Sequence, residues 1–296
     1  MQYHQIIQAI FLVSIANLGL NAQLLTSPDT IPFVLTEHNN LAVEAVLNQR
    51  DTLTLMLHTA AGDASLIREV TPDLASIEWA RTDSSSSWGG RGTSRFSPCN
   101  HLEVGSVARD SLPLWENTNS GPGTAGKFGL NFFQTALVEI NYSRREIVLH
   151  HHRPAELKQM DSLSFRSQGE MMFLPATSTI GEQNYPHEFL IHSGYRDGLL
   201  YDDDFAAKSG VNDQLEILEE QELRDAQNNV LITKKAKLPG LKIGHQTLSN
   251  VSVGFFSGAI GRQKMSVLGG EILRQFNWVF DLDNEVVYFE QLAAKG

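Results

Sequence analysis

The fold is decided by the stretch "LTLMLHTAAGDASL", residues 53–66, because the chain repeats its pattern in "HEFLIHSGYRDGLL", residues 187–200. In each copy an apolar, strand-like run ends in a histidine, which is followed by a small hydroxyl residue and then by a very small residue. An aspartate stands five positions after each histidine. Two such strand ends in one chain predict two similar structural units.

A second repeat lies downstream of each histidine. The segment "GKFGLNFFQTALVEINYSRREIVLH", residues 126–150, aligns without a gap to "SVLGGEILRQFNWVFDLDNEVVYFE", residues 266–290. Each copy predicts a short helix after the glycine, then a strand, a polar turn and another strand. The distance from the histidine to the aligned glycine is 71 residues in the first half and 77 in the second. The matching order and similar spacing indicate an internal duplication.

The remaining sequence predicts a mostly β protein of two lobes, residues 24–152 and residues 153–296. Short β-rich runs are separated by turn residues throughout. Helical periodicity is confined to two places, Asp204–Ser209 and Glu216–Asp225. The seam is expected near residues 150–162, where a strand ends and a polar, proline-containing stretch follows.

Composition excludes several classes of protein. With 42% hydrophobic and 19% charged residues, the 296-residue chain is globular and long enough for a substantial core. A net charge of −11 argues against a nucleic-acid partner, which requires a basic face. The single cysteine, Cys99, excludes an intramolecular disulfide and a cysteine-rich metal site, and we expect it to be buried.

The N-terminus predicts export. Residues 6–20 are mostly apolar and lead into the small pattern Leu20-Asn21-Ala22, as in a cleavable signal peptide over residues 1–22. The apolar run is shorter than the roughly 20 residues that a membrane span needs. We therefore expect a periplasmic or secreted protein without a membrane span in its mature chain, and a monomer.

The repeated features resemble the aspartic proteases, and most closely a retropepsin-like domain duplicated in one chain. The likeness rests on the triplets "HTA", residues 58–60, and "HSG", residues 192–194, and on the apolar-glycine elements downstream. It implies a mostly β, bilobal aspartic-protease-like fold whose two retropepsin-like lobes are related by a pseudo-twofold axis. In the family each triplet begins with a catalytic aspartate. The resemblance therefore places His58 and His192 at the two dyad positions.

Other family features are implied beside the dyad. Thr59 and Ser193 keep the hydroxyl that locks the two loops across the axis in the family. Gly194 keeps the small residue that close backbone approach needs, whereas Ala60 departs from the family glycine. The family has a hairpin flap at the place of the Gly-rich loop that carries Trp88. This tryptophan could clamp a ligand, or it could anchor an exposed loop to the body of the protein.

Two histidines cannot reproduce aspartic proteolysis, which needs two close carboxylates that share one proton. The resemblance therefore implies a pseudoprotease whose cleft holds a peptide or protein segment by strand addition, or another ligand. An inert histidine pair that only stabilises the axis is the simplest interpretation. The alternative is a hydrolase of changed mechanism, in which the pair itself acts or His58 and His192 bind zinc. Asp63 and Asp197 are candidates to complete such a metal site, although a third ligand is not evident.

Overall fold

The protein is described by a computed structural model over residues 28–87, 90–118, 120–135, 137–224, 230–256 and 263–293. The expected signal segment, residues 1–22, and Trp88 lie outside the described residues. In chain order the strands are β1 (Asp29–Pro32), β2 (Val34–Leu35), β3 (Leu41–Leu47), β4 (Asp51–Leu57), β5 (Ala64–Ile67), β6 (Arg81–Ser87), β7 (Gly90–Val104), β8 (Val107–Asn117), β9 (Gly126–Phe128), β10 (Leu137–Asn141), β11 (Glu146–His150), β12 (Asp161–Ser164), β13 (Arg166–Gln168), β14 (Met171–Ile180), β15 (Gln183–His192), β16 (Leu199–Leu200), β17 (Ile217–Arg224), β18 (Val230–Ile243), β19 (Gln246–Phe256), β20 (Val267–Gly269), β21 (Phe276–Asp281) and β22 (Val286–Gln291).

The helices are few and short. They are α1 (Asp203–Ser209), α2 (Val211–Gln214) and α3 (Gly270–Leu273), with 3-10 turns at Thr71–Asp73, Leu130–Phe133 and Ala155–Gln159. The predicted helix after each repeated glycine is present, as a 3-10 turn in the first half and as α3 in the second. None of the helices in the described part of the chain is both long enough and apolar enough to span a bilayer.

The two halves of the chain build the same eight-stranded sheet twice. The strand order is β2-β3-β4-β9-β5-β8-β7-β6 in the first half and β13-β14-β15-β20-β16-β19-β18-β17 in the second. An additional pairing closes each sheet on itself, β3 with β7 and β14 with β18. Every strand of one sheet therefore has a counterpart at the same place in the other, as an internal duplication requires.

A third sheet joins the halves, with the order β1-β11-β10-β21-β22-β12. Its two central strands, β10 and β21, come from different halves and pair antiparallel. Glu139 lies opposite Val279 in this register. These two residues are also equated by the gapless sequence alignment, so the approximate twofold axis passes between them. The division at residues 152 and 153 stays a prediction, because this sheet draws strands from both sides of it.

The core follows from the strand patterns. In β4 the alternating Leu53, Leu55 and Leu57 are buried, as expected for a strand with one face on the core. Every residue of β21 is buried, because this strand lies at the centre of the six-stranded sheet. Each large apolar side chain removed from water stabilises the fold by about 1.5–3 kcal/mol. His58 and His192 thus lie at the ends of strands whose apolar residues pack in the core.

Two sequence predictions were wrong. Residues 216–225 were expected to be helical, but β17 pairs antiparallel with β18 from Ile217 onwards. Cys99 was expected to be buried, but it is exposed, because the β7–β8 pairing shifts register between Ser97 and Asn100 and turns the intervening residues outward. The other helical segment, expected at Asp204–Ser209, is present as α1.

Candidate functional site

Both histidines lie at the end of a strand that a shorter strand holds in place. β4 ends just before His58 and runs parallel to β9, with Leu57 opposite Phe128. β15 ends at His192 and runs parallel to β20, with His192 opposite Gly269. The backbone N–H of His58 donates to the carbonyl oxygen of Phe128 at 2.9 Å. The two histidines thus occupy corresponding places in the two lobes.

The repeated glycines allow each histidine loop to pack closely. A Cβ atom at Gly129 would lie 1.8 Å from the carbonyl oxygen of Ala61, and one at Gly269 would lie 2.3 Å from that of Asp197. No side chain fits at either distance, so both positions require glycine. The apolar-glycine elements singled out in the sequence are therefore supports for the two loops.

Thr59 and Ser193 lock the two loops together. The backbone N–H of each residue donates to the hydroxyl oxygen of the other, at 3.0 Å in both directions. The Thr59 hydroxyl donates to the carbonyl oxygen of Ile191, and the Ser193 hydroxyl donates to that of Leu57, both at 2.8 Å. Both side chains are buried. The four bonds tie one lobe to the other directly beside the histidines.

The two imidazole rings meet across the axis. Their centroids are 4.5 Å apart and their planes are inclined by 64°, an edge-to-face arrangement. Nδ1 of His58 accepts the backbone N–H of Ala60 at 3.1 Å, so the neutral ring carries its proton on Nε2. Nδ1 of His192 is buried and has no hydrogen-bond partner among the described residues. The pair is therefore asymmetric in its hydrogen bonding.

Both rings are neutral at pH 7. Burial, followed by the neighbouring His192 and Lys127, holds the pKa of His58 well below its usual 6.5. Burial and then Lys127 lower the pKa of His192 to about 4. Within the described residues, no carboxylate contributes to either shift. Among the described residues, the surroundings of the two rings therefore offer nitrogen donors and acceptors and no anionic base.

The small residues after the histidines differ in their roles. A Cβ atom at Gly194 would lie 2.6 Å from Cδ2 and 2.7 Å from Nε2 of His58, so the opposite ring occupies the space of a side chain. Neither Gly194 nor Ala60 has a positive φ. The first loop accepts alanine without backbone strain for that reason.

Asp63 and Asp197 do not join the histidine pair. Asp63 is exposed. Asp197 forms an ion pair with Lys235, with Oδ2 and Nζ 3.0 Å apart. Across the described ranges, no group of three or more His, Cys, Asp or Glu side chains is arranged to hold a metal ion. The pair alone offers two nitrogen ligands, and catalytic zinc sites use three protein ligands.

A long hairpin lies where the flap was expected, and it has a counterpart. β6 and β7 pair up to Ser87 and Gly90, and Trp88 between them lies outside the described residues. In the second lobe β17 and β18 pair up to Arg224 and Val230. Both β6 and β17 stand at the end of their sheet. Each lobe therefore presents one hairpin with an edge strand.

Lys127 lies near the histidine pair but was not among the candidate site residues predicted from the sequence. It lies in β9 between the buried Gly126 and Phe128, and its charge acts on both histidine rings. The alignment equates it with Val267, which is buried. A lysine at an apolar position of the repeat was the signal that could have revealed it.

Comparison with known proteins supports the fold. No protein-family model matches the sequence. No curated protein matches it. The structure is similar to the crystal structure of the aspartic proteinase from Irpex lacteus, with a TM-score of 0.59 and 12% sequence identity over 90% of this chain and 98% of that one.

The chain has the aspartic proteinase fold. The bilobal, mostly β architecture predicted from the duplication is thereby confirmed. In this aspartic proteinase fold, the Thr59–Ser193 lock and the histidine pair lie between the two lobes.

Proposed function

We propose that this chain is an exported binding protein of the aspartic proteinase fold, without aspartic peptidase chemistry, that holds a peptide or another ligand in the cleft between its lobes. The observation that carries the proposal is the neutral pair His58 and His192, whose ring centroids are 4.5 Å apart at the ends of equivalent strands. Export rests on the mostly apolar run at residues 6–20 within the expected signal peptide, residues 1–22.

The chemistry of the pair supports the loss of peptidase activity. Aspartic proteolysis uses one carboxylate to activate water while its protonated partner hydrogen-bonds the substrate carbonyl. His58 Nδ1 is already engaged by the N–H of Ala60. Two neutral imidazoles supply no anionic base, and two protonated ones would repel each other.

The sheet edges support binding of an extended peptide. β6 and β17 are edge strands, and each belongs to a hairpin of its own lobe. An edge strand has unpaired backbone donors and acceptors that an extended peptide can use. A peptide could thus bind by strand addition to one or both hairpins.

A second candidate is a hydrolase that uses the histidine pair, and one observation favours it. Nδ1 of His192 is buried and free of hydrogen bonds among the described residues, as a general base awaiting a substrate proton would be. This candidate requires turnover near neutral pH that His192→Gln abolishes and that a chelator leaves unchanged.

The deciding experiment compares cleavage and binding on the same peptide library. We expect no cleavage from acid to neutral pH. We also expect the NMR amide signals of Thr59 and Gly194 to shift saturably when a peptide that the library screen identifies as a binder is added. Cleavage with an acid optimum that His58→Ala removes would overturn the proposal. His152→Ala, at an exposed site, is the matched control.

A further inference from the structure

Lys127 breaks the symmetry of the duplicated cleft floor. Its strand neighbours Gly126 and Phe128 are buried, and its counterpart Val267 is buried and apolar. Lys127 itself is only partly exposed, and in the described part of the chain it has neither a hydrogen bond nor an ion pair. A partly buried cation without a counter-ion is costly, so the site favours a partner that brings a negative charge.

The two imidazoles add hydrogen-bonding capacity beside this cation. The Nε2–H of His58 points to the axis, since Nδ1 of the same ring accepts the Ala60 N–H. The ring of His192 has an unpartnered Nδ1 and can donate from either nitrogen in its neutral tautomers. Lys127 lies opposite Met56 where β9 runs parallel to β4, and Met56 precedes His58 by two residues. Strand alternation therefore puts Lys127 and His58 on the same face of the sheet, and the ring of His192 packs against that of His58.

We propose that Lys127, His58 and His192 together form a carboxylate-binding site at the floor of the cleft. This inference rests on the proposed function, because it names the chemistry of the group that the cleft receives. The carboxylate accepts a charge-assisted hydrogen bond from Lys127 and further bonds from the imidazole N–H groups.

The charge of the site selects the class of anion. With both imidazoles neutral at pH 7, Lys127 is the only cation of the three. A carboxylate brings one negative charge and neutralises it. A phosphate monoester carries close to two charges at this pH, which would leave one uncompensated in a partly buried site.

The first experiment titrates the purified 15N-histidine-labelled chain with sodium acetate at pH 7, at constant ionic strength and in the presence of a chelator. We expect saturable shifts of the ring signals of His58 and His192, and none with acetamide. Lys127→Met should weaken the acetate response about tenfold or more, as loss of a hydrogen bond to a charged group predicts. Lys237→Met removes an exposed lysine of β18 and should leave the response unchanged.

The second experiment separates this inference from the proposed function and distinguishes two sources of the carboxylate. Three peptides with blocked or free ends are compared: one with a central glutamate and both ends blocked, the same peptide with glutamine, and a blocked-amine alanine peptide with a free C-terminal carboxylate. Preference for the first identifies a side-chain carboxylate, and preference for the third identifies a chain terminus. In either case Lys127→Met should remove the preference.

Several outcomes would overturn the inference. Equal binding of the glutamate and glutamine peptides, with no acetate response, would exclude the carboxylate site while leaving a peptide-binding cleft intact. An acetate response that Lys127→Met does not change would exclude the role of Lys127. Conversely, an acetate response lost in Lys127→Met, with no peptide bound, would support the site and reject the proposed peptide function.

Discussion

Thr59 and Ser193 donate their backbone N–H groups to each other's hydroxyl oxygens at the same distance, 3.0 Å. The reciprocity shows that the two histidine loops meet as equivalents across the axis. Each hydroxyl also satisfies two backbone groups of the opposite lobe, one N–H and one carbonyl.

We predict that Thr59→Val destabilises the protein by about 2–4 kcal/mol, because it leaves the Ser193 N–H and the Ile191 carbonyl unpaired in a buried site. Thr59→Ser keeps the hydroxyl and should cost under about 1 kcal/mol. Denaturant unfolding measures both variants. An unchanged midpoint for Thr59→Val would show that the bonds contribute nothing to stability.

We predict that Gly194→Ala destabilises the protein by about 1–3 kcal/mol, because its Cβ would lie 2.6 Å from Cδ2 of His58. Ala60→Gly, at the equivalent place in the other lobe, should have a much smaller effect. Adding His58→Ala to Gly194→Ala should remove most of the added cost, and a double-mutant cycle measures this coupling. Additive effects would contradict the proposed collision.

Stability should fall as the pH drops from about 6.5 to about 4. The folded state holds His192 neutral down to about pH 4, whereas the unfolded chain protonates it near 6.5, so acid favours unfolding. The shift in the pKa of His192 alone corresponds to roughly 3 kcal/mol. His58 acts in the same direction, because its pKa is lowered too.

The double substitution His58→Asn with His192→Asn should flatten this pH dependence of the unfolding free energy. His152→Gln, at an exposed site, should leave it unchanged and serves as the control. A wild-type slope retained in the double variant would assign the acid sensitivity to the carboxylates of the protein.

We predict that Lys127→Met raises the pKa of both His58 and His192, because it removes the cation that lowers them. Histidine ring signals followed by NMR over a pH series measure each value. The same variant should be at least as stable as the wild type at pH 7, since an apolar chain replaces an unpaired, partly buried cation. Unchanged pKa values would place the ammonium group away from the rings.

The duplication made the fold predictable from the sequence. The alignment of residues 126–150 with 266–290 predicted equivalent elements in the two halves, and the two eight-stranded sheets have the same strand order. It also singled out Gly129 and Gly269, and in the structure both pack against a histidine loop. Both features recur in the two halves, so they can be recognised as a repeat from the sequence alone.

Features that distinguish the two halves were harder to predict. The acidic, leucine-containing segment 216–225 has helical spacing, but tertiary pairing with β18 overrides that preference. The orientation of the imidazoles and the reach of Lys127 depend on how two distant loops pack, which no local pattern records.

The pairing of Glu139 with Val279 at the axis carries one further consequence. Two separate copies of a single lobe could build the same six-stranded sheet, but identical residues would then lie on both sides of the twofold axis. In a single chain the two lobes can have different residues at equivalent positions. Lys127 lies on one side of the axis and the apolar Val267 on the other, so the two sides differ chemically, and we expect a peptide bound there to prefer one chain direction.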